Sequence, residues 1–414
     1  MTVSNGNAGH PASVPHPSES PGLDRGFCRW VVDDPLAFIY LRPLPWAVSP
    51  GGFDALDGFT PDPNPDFDPE HDPGGAARGA PGPALLAGGP VRFSHVEVIV
   101  RSADRGRPHR AVGSIEAVTD WAAALGREAE IESRFAQLSA PRPPVAGLTL
   151  DRPRIMGVVN VTPDSFSDGG DFNDRQRAID QGRALIDAGC DILDIGGEST
   201  RPGALPVPAN EEIDRVLPVI EALAAAGVPI SIDTRHAAVM RAALQAGARI
   251  INDVTALSGD PESPATVAAA GDVPVVLMHM LGEPQTMQND PRYDCAPLDV
   301  ADRLGAFAQH AIDAGIGTDQ LIVDPGIGFG KTVAHNVDLL RHTAMLHMYG
   351  FPVMIGLSRK RFLGSIGGES ASPKARLPGS LAAGLFALQQ GAQILRVHDG
   401  LETVQAVRLL QALR

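Results

Sequence analysis

The sequence predicts a (β/α)8 barrel of the α/β class over residues 154 to 414, with a small, partly disordered N-terminal α+β extension. Three observations predict it. Eight short apolar runs recur about 35 residues apart, the period of one strand–helix unit. Helical patterns such as RQRAIDQGRALIDAG and EEIDRVLPVIEALAAAG lie between them. Seven times a glycine stands a few residues ahead of the next run, at Gly189, Gly227, Gly247, Gly271, Gly315, Gly350 and Gly391. There a helix ends in a left-handed residue, which strains any L side chain but not glycine. Eight units in about 260 residues suit a closed barrel. A doubly wound open sheet is the competing architecture.

In chain order, residues 1–25 are rich in Pro, Ser and Gly and read as a disordered tail. Residues 26–145 read as an accessory region, interrupted at 43–92 by a Pro/Gly-rich linker with the acidic stretch TPDPNPDFDPEHDPGG. Within it, FCRWVVDDPLAFIYLRPL supplies a short strand and a helix. VRFSHVEVIV alternates like a strand, and SIEAVTDWAAALGREAEIESRFAQL reads as one helix. Trp30, Trp46 and Trp121 all lie there and read as its packing residues. The barrel domain, from about residue 150 to 414, then runs through RIMGVVNV, DILDIGG, PISIDT, RIINDVT, VPVVLMHM, LIVDPG, PVMIGLS and ILRVHD. These runs are nearly continuous in apolar residues, as strands covered on both faces by helices require.

Composition narrows the partners. A net charge of −15 disfavours a nucleic-acid or anionic-membrane surface, since a phosphate backbone repels such a field. Cys28, Cys190 and Cys295 are scattered and odd in number, which fits a reducing cytoplasm and suggests neither a disulfide framework nor a zinc knuckle. No apolar run reaches the ~18 residues of a membrane span, and the N-terminus has no signal-peptide pattern. Of 34 Lys plus Arg, only Lys331, Lys360 and Lys374 are lysines, so each retained lysine is a weak flag.

Barrels of this kind place their chemistry where strands end. The polar residues closing each run are Asn160; Asp194 with the Gly-Glu-Ser-Thr-Arg segment 197–201; Asp233; Asn252 and Asp253; Met278 and His279; Asp324; Ser358, Arg359 and Lys360; and Arg396 and His398. Each has a plain alternative. Asp233 or Thr234 could cap the following helix, Asn252 could be a turn residue, and His279 could be a satisfied core histidine. Taken as a ring, they divide by charge. Asp233, Asn252 and Asp324 suit a flat heterocycle with N–H donors, each charge-assisted bond contributing roughly 1.5–3 kcal/mol. Arg359, Lys360, Arg396 and His398 suit a phosphate. DPGIGFGKT, residues 324–332, fails the P-loop and GxGxxG spacings and reads as a flexible loop that brings backbone and Phe329 to a ligand.

GVVNVTPDSFSDGG, DIGGESTRPG, SIDT, INDV, DPGIGFGK, GLSRKRFLG and RVHDG, in that order, closely resemble the motifs of the dihydropteroate synthase family, over residues 154 to about 410. The resemblance implies condensation of 6-hydroxymethyl-7,8-dihydropterin diphosphate with p-aminobenzoate to 7,8-dihydropteroate and diphosphate, with Mg2+, by an SN1-like path in a homodimer. It implies that Asn160 contacts the metal and that residues Thr162, Pro163, Asp164, Ser165 and Phe166 form a mobile loop. It places the pterin diphosphate against Thr200, Asp233, Asn252, Met278, Asp324, Gly328, Lys360, Arg396 and His398. It places p-aminobenzoate against Thr200, Arg201, Pro202, Phe329, Lys360 and Arg361, the last standing where the family often has Ser. A pterin-binding methyltransferase module and a non-catalytic paralogue on the same barrel are the alternatives; the diphosphate clamp and the two loops argue against them.

Overall fold

The computed structural model describes residues 37–45, 83–161, 171–199, 206–368 and 372–413, with side chains omitted at 171–173. The loop residues 162–166 and Thr200, Arg201 and Pro202 therefore lie outside the described residues, as do Cys28, Trp30 and Trp46. The chain divides into two compact units.

The first unit holds β1 (Phe38–Pro43). Of the second unit, β2 (Ala84–Leu85) and β3 (Arg92–Phe93) form a two-stranded hairpin. The first unit continues with β4 (His95–Arg101), β5 (His109–Ser114) and α1 (Ile115–Ala124), its strands forming an antiparallel sheet in the order β1–β4–β5. VRFSHVEVIV is thus two strands, and β4 does not alternate: Val96 to Arg101 are all buried. Buried Glu97 is neutralised by Arg42 and Arg110, at 2.9 and 3.2 Å. The single helix expected over 114–138 is broken. Ser114 caps α1 by accepting from the Ala117 N–H, and Gly126, at φ +69°, turns the chain into α2 (Glu128–Ser139).

In the second unit the barrel follows, with one α-helix between successive strands except for two between the last pair: β6 (Arg154–Asn160), α3 (Asp171–Ala188), β7 (Ile192–Gly196), α4 (Ala209–Leu223), β8 (Ile230–Asp233), α5 (Ala237–Ala246), β9 (Ile250–Asp253), α6 (Ser263–Ala269), β10 (Val275–Met278), α7 (Ala296–Asp313), β11 (Leu321–Asp324), α8 (Val333–Arg341), β12 (Met354–Gly356), α9 (Arg361–Gly367), α10 (Leu377–Gln389), β13 (Ile394–Val397) and α11 (Gly400–Ala412). The eight strands β6 to β13 pair in parallel, in the order β11–β10–β9–β8–β7–β6–β13–β12. A bridge between Val323 and Val353 joins the two ends, and the Val323 N–H donates to Pro352 O at 2.9 Å. That contact closes the sheet and excludes the open alternative. All seven marker glycines have positive φ, from +71° at Gly271 to +116° at Gly247.

The barrel interior is packed at its N-terminal end by Met156, Ile192, Ile250, Val276, Ile322, Met354 and Ile394. Val145 and Leu150 plug that end, on a turn fixed by the Val145–Leu148 bridge. The barrel's own packing thus begins at Val145, ahead of the boundary read near 150. Arg142 is buried with it, donating to Phe351 O at 3.2 Å and His347 O at 3.0 Å. The β2–β3 hairpin adds to this end, with the Ala87 and Gly88 N–H groups bonded to Leu138 O and Ser139 O. The opposite, C-terminal end carries the polar residues. Among the described residues, no helix is long and apolar enough to cross a membrane.

Candidate active site

Strand register sets the height of the polar ring. Asn160 pairs with Gly196, Gly196 with Asp233, and Asp233 with Asn252, so β6 to β9 end level; Met278 pairs with Asp324, and Gly356 with Arg396. A cavity of about 590 Å3 opens over this ring, and Asn160, Asp233, Gly328, Phe329, Lys360, Arg361, Arg396 and His398 all line it. Asp324 does not line it but is buried behind Gly356, which does, its Oδ2 3.7 Å from where a Cβ on Gly356 would lie. Met278, expected on the ligand's face, opens onto an adjacent cavity of about 410 Å3 that shares Glu198 and Ser199 with the first.

Asp194, which the sequence marked only as a strand end, proves central. It is fully buried, and its Oδ2 accepts from Asn252 Nδ2 at 3.1 Å and from Arg396 Nε at 2.6 Å. Arg396 Nη2 donates in turn to Asp233 Oδ2 at 2.5 Å. The guanidinium expected to clamp phosphate therefore bridges two carboxylates across the barrel mouth. Burial pushes the Asp233 carboxyl up, Arg396 pulling it down and Asp194 and Asp253 adding to the rise. Arg396 is raised despite burial, because carboxylates surround it.

The plain capping role of Asp233 is excluded. The start of α5 is served by Asp260, whose Oδ2 accepts from the Ala237 N–H at 2.9 Å, and by Thr234, whose Oγ1 accepts from the His236 N–H. Likewise the turn after β9 belongs to Asp253, which accepts from the Thr255 and Leu257 N–H groups, leaving Asn252 for the network.

The cationic side differs from expectation in two ways. Arg359 is not free for an anion: it forms a paired contact with Asp399, at 3.0 and 2.5 Å. His398 is driven to about 3, by burial first and then by Arg396, Arg359 and Lys360, so it is a neutral imidazole. It can donate a hydrogen bond but carries no charge. Lys360 remains. Its Nζ lies 3.8 Å from the centre of the Phe329 ring, a cation–π placement, and burial lowers it to about 8, with Arg396 acting alongside and Asp324 opposing. Asp324 is pushed up to about 6 by burial, against the Gly326 N–H that donates to it at 2.7 Å.

The DPGIGFGKT segment is locked rather than flexible. Gly326 and Gly330 have φ of +64° and +61°, and a Cβ on Gly326 would fall 1.9 Å from His279 O. Lys331 Nζ pegs the loop from beneath, bonded to Phe329 O at 2.9 Å, His279 O at 3.2 Å and His279 Nδ1 at 3.0 Å. Burial lowers Lys331 to about 7 and His279 to about 2. His279 is thus the satisfied core histidine, and the flagged Lys331 is a loop peg that also lines the cavity. Phe329 packs with Val254, Met278 and Met287.

A hard cation such as Mg2+ takes oxygen donors and keeps several waters. Asn160 offers one amide oxygen at the cavity wall, which fits an ion held mainly by a phosphate and water rather than by a protein cage.

Residues 156–398 match the family model of the pterin binding enzymes. The dihydropteroate synthase of Escherichia coli K12 is 45% identical over 266 residues, covering 64% of this chain and 93% of the relative; that of Neisseria meningitidis serogroup B is 47% identical over 269 residues, covering 64% and 94%. Among solved structures, the Xanthomonas albilineans dihydropteroate synthase with 4-aminobenzoic acid is 51% identical, with a TM-score of 0.62 over 66% of this chain and 98% of that one. The same enzyme in complex with 7,8-dihydropteroate is 48% identical, with a TM-score of 0.60 over the same shares.

Proposed function

Since the chain belongs to the pterin-binding enzyme family, we propose that it is a transferase of folate synthesis that condenses 6-hydroxymethyl-7,8-dihydropterin diphosphate with p-aminobenzoate, releasing 7,8-dihydropteroate and diphosphate. One observation carries the reading: carboxylates and cations share one cavity at the barrel mouth, joined by Arg396 between Asp194 and Asp233.

The pterin's N–H groups face Asp233 and Asp324, with Asn252 held ready by Asp194. Ring N–H donors take over the Asp233 oxygen that Arg396 holds. Arg396 then stays anchored through Nε to Asp194, and its Nη2 is freed for the departing anion. The carbon–oxygen bond breaks ahead of amine attack; positive charge on the methylene spreads into a ring facing carboxylates, while Arg396, Lys360 and a hydrogen bond from His398 meet the leaving diphosphate. The site stabilises separated charge in a place already shaped for it. The amine nitrogen of p-aminobenzoate, held by Phe329 and Arg361, forms the new carbon–nitrogen bond and loses a proton to the diphosphate or to water. Mg2+, held by Asn160 together with the diphosphate, would supply further neutralisation of that leaving group. Residues 162–166 and 200–202 enter only through the family resemblance, as the segments that shut water out. The same reading takes the enzyme to be a cytoplasmic homodimer.

The test is direct. Protein mixed with the pterin diphosphate, labelled p-aminobenzoate and Mg2+ should yield labelled dihydropteroate. Asp233→Asn should weaken pterin diphosphate binding by at least about tenfold in calorimetry, the loss of one charge-assisted bond. No product under stoichiometric enzyme would overturn the reading.

A further inference from the structure

We infer that Glu198, Glu212 and His236 form a second cation site, built for a transition metal of the Zn2+ type, at the junction of the β7 end with α4 and α5. One ligand atom from each of the three lies within 4.8 Å of the other two. Glu198 stands two residues beyond β7, Glu212 in the first turn of α4, and His236 at the N-cap of α5.

Two independent features point to an occupant. Glu212 is fully buried, yet among the described residues only its Oε2 is partnered, by Thr234 Oγ1 at 3.1 Å; Oε1 has none. Its stem is wedged under Gly197, where a Cβ would lie 2.9 Å from Glu212 Cγ, so the carboxylate is held facing inward. His236 Nε2 is likewise buried without a partner. Unmet buried acceptors each cost about 1–3 kcal/mol. Here a carboxylate oxygen and an imidazole nitrogen are left open together, and no hydrogen bond joins them. Arg235 does not fill the gap, because both its contacts, at 2.9 Å each, go to Glu198.

The donor set selects the metal. Imidazole with carboxylate oxygens favours Zn2+ and its neighbours over Mg2+ or Ca2+. Tetrahedral zinc ligands at about 2.0–2.2 Å from the ion stand roughly 3.4 Å apart, so closure requires an inward shift of about 1 Å. Glu198 can make it by giving up one of its two contacts with Arg235. Three protein ligands leave the fourth position to water. The ion would tie the turn after β7 to the start of α5, three residues past Asp233. Glu198 also lines the cavity over the polar ring, but none of the three ligands has a role in the proposed reaction.

The full-length protein, stripped with chelator and dialysed against Zn2+, should bind about one ion per chain. It should also unfold at a higher temperature with Zn2+ than without. Glu212→Gln and His236→Ala should each weaken Zn2+ binding by at least about tenfold, with far-UV circular dichroism unchanged. Co2+ in place of Zn2+ should give visible absorption in the wild type that both variants lose. A wild type that takes up no Zn2+, or two variants that bind it as tightly as wild type, overturns the assignment. Should Glu212→Gln lose its fold, His236→Ala, on a partly exposed side chain, decides alone.

Discussion

Lys331 shows how much a single buried cation can fix. It is only 3% exposed, and its three contacts all go to the loop and strand end it joins. A protonated amine donates to both carbonyls and to His279 Nδ1; a neutral one donates to the carbonyls and accepts from Nδ1–H. Either state is satisfied. With its pKa lowered to about 7 in the folded protein, Lys331 is protonated in both folded and unfolded chains below that pH, and the burial cost is fully felt. Above pH 7 the folded chain sheds a proton that the unfolded chain keeps, so this residue's contribution makes stability rise with pH, by up to about 1.4 kcal/mol per unit. Lys331→Met removes the titrating group at nearly constant volume. The wild type should therefore gain on the variant by about 2 kcal/mol between pH 7 and 9 in urea unfolding, and a constant difference across that range would show that Lys331 does not titrate there.

At the scale of elements, the loop after β11 and the helix ends use glycine for different reasons. Gly227, three residues past the Ala224 C-cap of α4, is left-handed with nothing within 4 Å of a Cβ, so Gly227→Ala should cost only about 1–2 kcal/mol of backbone strain. Gly326 has the same kind of φ, but a Cβ would collide with His279 O at 1.9 Å. The backbone of β10's end and the loop would have to separate, breaking the Asp324–Gly326 and Lys331–His279 contacts together. Gly326→Ala should thus cost at least about 3 kcal/mol, and equal urea midpoints for the two variants would show that the loop gives way easily.

For the whole molecule, the barrel is the part shared with its relatives: 266 residues of this chain cover 93% of the Escherichia coli enzyme. The turn at 145–150 and Arg142 nevertheless serve the barrel's N-terminal end. A chain starting at residue 134 should outlast one starting at 146 by about 2–4 kcal/mol in thermal or urea unfolding, from Val145 burial and two lost hydrogen bonds. Equal stability would mean the plug is dispensable. What the sequence determined alone is local in origin: eight apolar runs, the glycines that end helices, and the polar residue closing each strand. Period, left-handed backbone and strand ends are properties of short segments, which is why β6 to β13 and the ring from Asn160 to His398 were legible in advance. The break at Gly126 was local too, but continuous helical periodicity on both sides masked it. Only the tertiary structure decided which charges meet. Asp194, on β7, and Arg396, on β13, are 202 positions apart, and Arg359 meets Asp399 rather than an anion; the strand order, which sets β13 next to β12 and one strand from β7, creates both pairs, and burial of the mouth then makes His398 neutral and lowers Lys360. No spacing in a sequence encodes a partner that the order of the strands brings alongside from a distant segment.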